Sequence, residues 1–222
     1  MPTVLGEVLP LAVGVAVSPI PVIAAILMLL SPNAKTTGVG FLCGWVVGIA
    51  VAATLFTVLS SSLPADTDGT RSAAAYVQIL LGVGLLVLAL RQWRARPAEG
   101  AEPTMPAWMS AIDSFTPVRG FGLGFVLSAV NPKNLLLGIA AGVSIGQGGL
   151  TVAQDAVVIA VFTVLAASTV AVPVIAFLLS PARWTVPLQS LRAWLTRNNA
   201  TVMAVLLLVI GSVVIGKGLG NL

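Results

Sequence analysis

One lysine of this chain lies in the middle of a long uncharged stretch. Lys133 stands within Asn131-Pro132-Lys133-Asn134, and residues 120–132 and 134–154 contain no Asp, Glu, Lys or Arg. A charge at the centre of a bilayer costs about 2.5–3.5 kcal/mol on insertion scales, so such a residue usually faces a cavity or a partner group. We interpret Lys133 as the cationic centre of a polar site whose natural partner is an anionic group.

Prolines mark two places where helices should break. Ser18-Pro19-Ile20-Pro21 carries two prolines, and Pro132 precedes the lysine. Each proline removes a backbone donor, which leaves carbonyls without helical partners. We expect such carbonyls at Gly14, Val15 and Val17 and near Ser128. If the breaks meet, the predicted substrate-binding residues are Lys133, Asn131, Asn134 and Ser18, and the helix-breaking residues are Pro19, Pro21 and Pro132.

The composition places these residues in a membrane protein. Of 222 residues, 58% are hydrophobic and 8% are charged, and the mean hydropathy is +1.05. Soluble domains carry about 25% charged residues. A membrane-spanning helix needs about 17–25 apolar residues. Six stretches meet that length, near residues 4–30, 37–59, 73–90, 120–145, 152–179 and 200–216.

Basic residues are distributed unevenly between the loops that these spans predict. Eight lie in the 1–2, 3–4 and 5–6 loops, whereas only Arg71 and Lys217 lie on the other side. Basic loops mark the cytoplasmic side. We therefore predict a multi-pass protein of the plasma (inner) membrane with both termini extracytoplasmic. Orientation accounts for the positive net charge, and no nucleic-acid partner is expected. Residues 108–115 and 184–195 are predicted to be amphipathic segments at the interface.

A short motif recurs in the two halves of the sequence. Ala16-Val17-Ser18-Pro19 returns as Ala129-Val130-Asn131-Pro132, 113 residues later. Interrupted helices at corresponding positions of inverted repeats are typical of transporters. We predict one all-α transmembrane domain over 1–222, built as two inverted three-helix repeats (about 1–92 and 120–222) with helices 1 and 4 broken and a cytoplasmic loop at about 92–119. Glycines predicted to pack helices are Gly40, Gly44, Gly48, Gly138, Gly142 and Gly146.

Residue types that are missing narrow the chemistry. The chain has no histidine and one cysteine, and its seven carboxylates fall at span ends or in loops. Divalent-metal sites need carboxylate, imidazole or thiolate ligands, and hydrolytic nucleophiles need a base. We therefore expect neither a metal site nor a cofactor, and we do not expect an enzyme.

The same residues carry a family resemblance. The chain resembles the GAP family, which comprises the sulfolipid-1-addressing (Sap) and peptidoglycolipid-addressing proteins, within the LysE transporter superfamily. The motifs that carry the resemblance are Ser18-Pro19-Ile20-Pro21, Ser31-Pro32-Asn33-Ala34-Lys35, the segment 108–117, Gly122-Leu123-Gly124 and the segment 128–135. Ile20 stands where amino-acid exporters of that superfamily usually have glycine. The resemblance implies export, or assistance of export, of envelope glycolipids.

We therefore expect a transporter that exports an anionic envelope (glyco)lipid or its precursor by alternating access. Two alternatives remain open: an exporter of an amino acid or another small carboxylate solute, and an accessory scaffold of a lipid-export machine that carries no substrate. Expected partners are membrane lipids, the anionic substrate, and either further copies of the chain or a lipid-export partner.

Overall fold

The computed structural model describes residues 1–62, 68–96 and 107–220, and this part of the chain contains α-helices and no strand. The eight α-helices of the described residues are α1 (Pro2–Ala16), α2 (Pro19–Leu29), α3 (Ala34–Ser61), α4 (Asp68–Arg94), α5 (Pro117–Ala129), α6 (Pro132–Gly146), α7 (Val152–Leu179) and α8 (Pro181–Gly220). A short 3₁₀ helix, Ala107–Ser114, precedes α5.

Four to six segments of the described chain are long and apolar enough to cross a membrane. Four are single helices: Ala34–Ser61, Ala75–Arg94, Val152–Leu179 and Pro181–Gly220. The other two are bent pairs, α1 with α2 at 52° and α5 with α6 at 62°. These pairs correspond to the first and fourth predicted spans. The structure is therefore compatible with a multi-pass membrane protein whose first and fourth spans are broken.

Both bends have the same local cause. α2 and α6 each begin at a proline, at Pro19 and at Pro132. Proline suits the first helical position, where its missing N–H is not needed. The residue before a proline is pushed out of the helical region. Ser18 accordingly has φ −123° and ψ 92°, and Asn131 has φ −59° and ψ 125°.

α3 packs against both halves of the bent pair α5–α6 without a gap. A Cβ added to Gly40 or Gly44 would overlap the carbonyl of Pro117 or Phe121, and one added to Gly124 would overlap the carbonyl of Phe41. The residue numbers at these contacts increase together along both helices, so α3 runs parallel to α5. Backbones approach this closely only where side chains are absent.

The same contact continues onto α6, and four of the predicted packing glycines lie along it, one on α3 and three on α6. Gly142 and Gly146 lie against the backbone of Phe56 and Thr57, and Gly48 lies against the Ser128 hydroxyl. Gly138 makes only an ordinary contact with the Ala52 methyl group. A second close pair, α4 with α8, runs antiparallel through Gly82, Gly211 and Gly218.

Two predicted interface segments take other forms. The sixth predicted span begins at residue 200, but α8 begins at Pro181, so the predicted 184–195 loop segment is part of one 40-residue helix. Its Leu188 and Leu195 side chains are buried in the core. In the 3₁₀ helix, Met109 and Ile112 are also buried. These apolar side chains pack into the protein, whereas those of an interfacial segment would face lipid.

Candidate functional site at the two helix breaks

The first helix break exposes four consecutive carbonyls, and each is satisfied from outside the ordinary helical ladder. Ser18 Oγ donates to the Val15 oxygen at 2.6 Å, and Thr169 Oγ1 of α7 donates to the Ala16 oxygen at 2.6 Å. The Gly14 and Val17 oxygens accept from the Lys133 side chain. The predicted free carbonyls at Gly14, Val15 and Val17 are thus present; Lys133 of α6 occupies the first and the last, and the neighbouring Ser18 occupies that of Val15.

The second break holds the two predicted asparagines in different roles. Asn131 Oδ1 accepts the Lys133 backbone N–H at 3.1 Å, which caps the start of α6. Asn134 is buried, and its Nδ2 donates to the Leu127 oxygen at 2.9 Å, close to the position predicted from Pro132. Its Oδ1 lies 3.5 Å from Ser18 Oγ. Asn134 therefore reaches the first break, whereas Asn131 stabilises its own helix.

Lys133 joins the two breaks. Its side chain is only 4% exposed, and its Nζ donates to Gly14 O at 2.6 Å, Val17 O at 3.2 Å and Ser18 Oγ at 2.5 Å. An ammonium has three donors, so all of them are used. The acceptors lie at the carboxyl end of α1, where unpaired carbonyls and the helix dipole favour a cation.

No carboxylate neutralises this ammonium in the described part of the chain. The ion pair among the described residues lies elsewhere and joins Lys217 Nζ to Glu7 Oε2 at 2.5 Å. Lys217 also donates to Ser144 Oγ at 2.6 Å, so this cluster ties together α1, α6 and α8. Carbonyl and hydroxyl dipoles alone therefore balance the Lys133 charge. An anion that reached this point would meet an ammonium that has no counter-ion among the described residues.

An apolar cavity of about 410 Å³ lies against the first break. We call it the break cavity; one wall is the α1–α2 junction with Val17, Ser18 and Pro19, and the opposite walls are α7 and the first half of α8. Val172 of the α7 wall is 60% exposed, so the cavity is open on one side. On the α3 side of the same site, a void of only about 10 Å³ remains beside Asn134.

The structure thus brings together Lys133, Ser18 and Asn134, and it places Pro19 and Pro132 at the helix starts beside them. Pro21 lies in the first turn of α2 and is buried. Sequence reasoning missed Thr169, which fastens α7 to the break. Its only signal was Ser168-Thr169, two adjacent hydroxyl residues in the middle of an apolar stretch. The cavity wall on α8 could not be predicted either, because the sequence pattern predicts a loop segment over residues 184–195.

One comparison with known proteins gives a match. A family model described as "Sap, sulfolipid-1-addressing protein" matches residues 8–220. No curated protein and no solved structure matches the chain. The matched residues include both helix breaks, Lys133 and all three walls of the break cavity. Because the match covers nearly the whole sequence, the chain belongs to the sulfolipid-1-addressing protein family.

Proposed function

We propose that this protein exports, or assists the export of, an anionic envelope lipid or its precursor across the plasma membrane. The family description speaks of the addressing of a sulfolipid, which points to a role in lipid export or addressing. A sulfated lipid combines a permanently anionic head with apolar chains. The site that Lys133 organises offers a matching pair of features, one buried cation and one apolar cavity.

One observation carries this proposal. The Ser18 hydroxyl that accepts from Lys133 belongs to the same junction that forms a wall of the break cavity. A molecule in the cavity is therefore separated from the ammonium by a single broken turn of backbone. Movement of α1 relative to α6 would free donors of Lys133 for the headgroup.

Alternating access and an inverted repeat are parts of the proposal. Their support is the pair of bends, 52° and 62°, which lie at the two copies of the repeated motif. In the proposed mechanism the two bent spans change their mutual angle, and the Lys133 site is exposed to each side in turn. Placement of the family within the LysE superfamily belongs to the same proposal, as do extracytoplasmic termini.

The cavity lining favours a lipid over a small polar solute. Sites for amino acids need several polar groups to replace water around the charged ends of the solute. The break cavity is lined mainly by aliphatic side chains and proline, with hydroxyl groups at Ser18, Ser168 and Thr169. Hydrocarbon chains suit this surface, whereas a small zwitterion would lose its hydration there.

Reconstitution into liposomes tests the proposal. Purified protein is expected to move a fluorescent phosphatidylglycerol between leaflets, and Lys133→Gln should abolish that movement while Lys133→Arg retains part of it. Size-exclusion profiles and thermal unfolding check that the variants fold. Wild-type activity that persists in Lys133→Gln rejects the role of the lysine. Liposomes in which folded wild-type protein moves no lipid reject transport by the protein alone and favour the accessory scaffold.

A further inference from the structure

A second cavity, like the break cavity, is lined by residues of α7 and α8. It measures about 420 Å³ and is lined by the end of the α2–α3 turn and the start of α3 (residues 32–36), together with Phe177 and Pro181 of the α7–α8 junction. We call it the turn cavity. Both cavities are within the volume range of about 300–1,000 Å³ that is typical of ligand sites.

The two cavities lie in sequence along α7. The break cavity contacts Val172 and Pro173, and the turn cavity contacts Phe177. Four residues of helix correspond to a rise of about 6 Å. On α2 the order is the same, because Pro19 and Val22 line the first cavity and the turn after Leu29 lines the second. Both cavities thus lie along α7, the break cavity beside the helix break and the turn cavity beside the α2–α3 turn, and we call the two together the groove.

The two ends of this groove differ in chemistry. Val22, Val172, Leu191 and Leu195 make the break cavity apolar. The turn cavity instead has Asn33, Lys35 and Thr36 in its wall. Lys35 is exposed and forms no ion pair with any residue that the structure describes. Among the residues that the structure describes, no acidic one lines either cavity. The groove is therefore apolar at one end and positively charged at the other.

We propose that the two cavities form one binding site for a membrane-derived anionic lipid, with an acyl chain in the break cavity and the headgroup beside Lys35. This inference rests on the proposed function and refines it. Lys133 has no free donor in this conformation, so it cannot be the first contact of the head. Lys35 is the loading position, and Lys133 acts at the later step when the bent spans move.

The charge pattern determines which occupant the groove takes. Open apolar surface within a membrane is filled by lipid chains, and a lone lysine at its mouth favours a phosphate or sulfate head over a zwitterionic one. A small carboxylate would use Lys35 but leave the break cavity unfilled. A peptide would need partners for its backbone groups, which an aliphatic wall does not supply.

Photolabelling of the purified protein tests this site without any transport step. The probes are phosphatidylglycerol and phosphatidylcholine that carry the same diazirine at the end of one acyl chain. Both the labelled peptides and the apparent affinity of each lipid are measured. We expect phosphatidylglycerol to label the segments around Val172 and Leu191–Leu195 and to bind more tightly than phosphatidylcholine.

The decisive comparison is between two variants that remove one positive charge each. Lys35→Gln should weaken phosphatidylglycerol binding about threefold to fivefold, the size of one exposed charge contact, and leave phosphatidylcholine unchanged. Arg91→Gln removes an exposed charge on α4 that lines neither cavity, and it should change neither lipid. Lys35→Arg should restore the preference. Unfolding temperatures confirm that all three variants are folded.

The outcomes separate this inference from the proposed function. Equal effects of Lys35→Gln and Arg91→Gln, or labels confined to α4, overturn the lipid site even if liposomes show lipid movement. A Lys35-dependent preference with labels in the break cavity supports the site even if the protein moves no lipid alone. In that second case the transport mechanism fails and the binding site stands.

Discussion

The Lys133 site has two sides that are built in opposite ways. On the α3 side, glycines bring backbones into direct contact, and the remaining void measures about 10 Å³. On the α7–α8 side, one hydrogen bond from Thr169 reaches the break, and a cavity of about 410 Å³ separates the helices. The bent pair α5–α6 packs closely against α3, and we call this the fixed side. The bent pair α1–α2 borders the cavity on α7 and α8, and we call this the loose side. In the proposed mechanism, the fixed side provides the frame, and the loose side is where the lipid enters and the helices move.

The largest effect is expected on the fixed side. Gly44→Ala places a methyl group onto the Phe121 carbonyl, and the rigid backbone must separate, which costs about 2–3 kcal/mol of unfolding free energy. Gly122→Ala on α5 is the matched control, because nothing lies within 4 Å of its added methyl group. It should be neutral or stabilising, since alanine is the better helix former. Equal denaturation midpoints in detergent for the two variants would contradict the close packing.

A smaller loss of unfolding free energy is expected at the Thr169 hydrogen bond, which joins α7 to the helix break. Thr169→Val removes the 2.6 Å hydrogen bond to the Ala16 oxygen and should cost about 0.5–1.5 kcal/mol. Thr163→Val on the same helix is the control, because the buried Thr163 hydroxyl has no hydrogen-bond partner in the described structure. That variant should keep or raise stability. If both variants lose equally in thermal unfolding, Thr169 contributes packing and not a specific contact.

The ion pair near the start of α1 should contribute only weakly to stability. Glu7 and Lys217 have 31% and 21% exposed side chains, so solvent screens their ion pair. A double-mutant cycle with Glu7→Gln and Lys217→Gln should give a coupling of about 0.2–1 kcal/mol that falls as salt is added. A coupling of several kcal/mol that does not respond to salt would mean that α1 is held as firmly at this end as α5 is held by α3.

The smallest change in stability is expected inside the cavity. Val172→Trp fills space on the loose side and should leave the free energy of unfolding within about 0.5 kcal/mol, because the residue is 60% exposed. It should nevertheless reduce acyl-chain labelling. Val164→Trp, on the same helix and 69% exposed, lies outside the cavity and should do neither. A Val172→Trp variant that unfolds easily would show that the loose side is packed after all.

Features with a local cause could be predicted from the sequence. Proline determines where a helix starts, so both breaks and the carbonyls they free were readable from Pro19 and Pro132. The burial of Lys133 followed from its uncharged surroundings. Its partners at Gly14 and Val17 required only that the two breaks meet. Four single helices and two bent pairs likewise match the six apolar stretches.

Features that depend on packing could not be predicted. Thr169 gains its role from the position of α7, which no local pattern encodes. α8 was placed too late because its first half mixes arginine and tryptophan with leucine, a composition shared by interfacial loops and amphipathic helices. The difference between the two sides of the site also depends on distant residues. Glycines on α3 and α5 indicate close contact, but their pairing is visible only in three dimensions.

The length of α8 links the ends of the molecule. Forty residues extend over about 60 Å, roughly twice the hydrocarbon thickness of a bilayer. Leu195 forms part of the cavity wall, and Lys217 holds Glu7 about 33 Å further along the same uninterrupted rod. Any tilt of α8 at Leu195 would also move Lys217 and its contact with Glu7. The helix thus connects the break cavity directly to the ion pair that holds the start of α1.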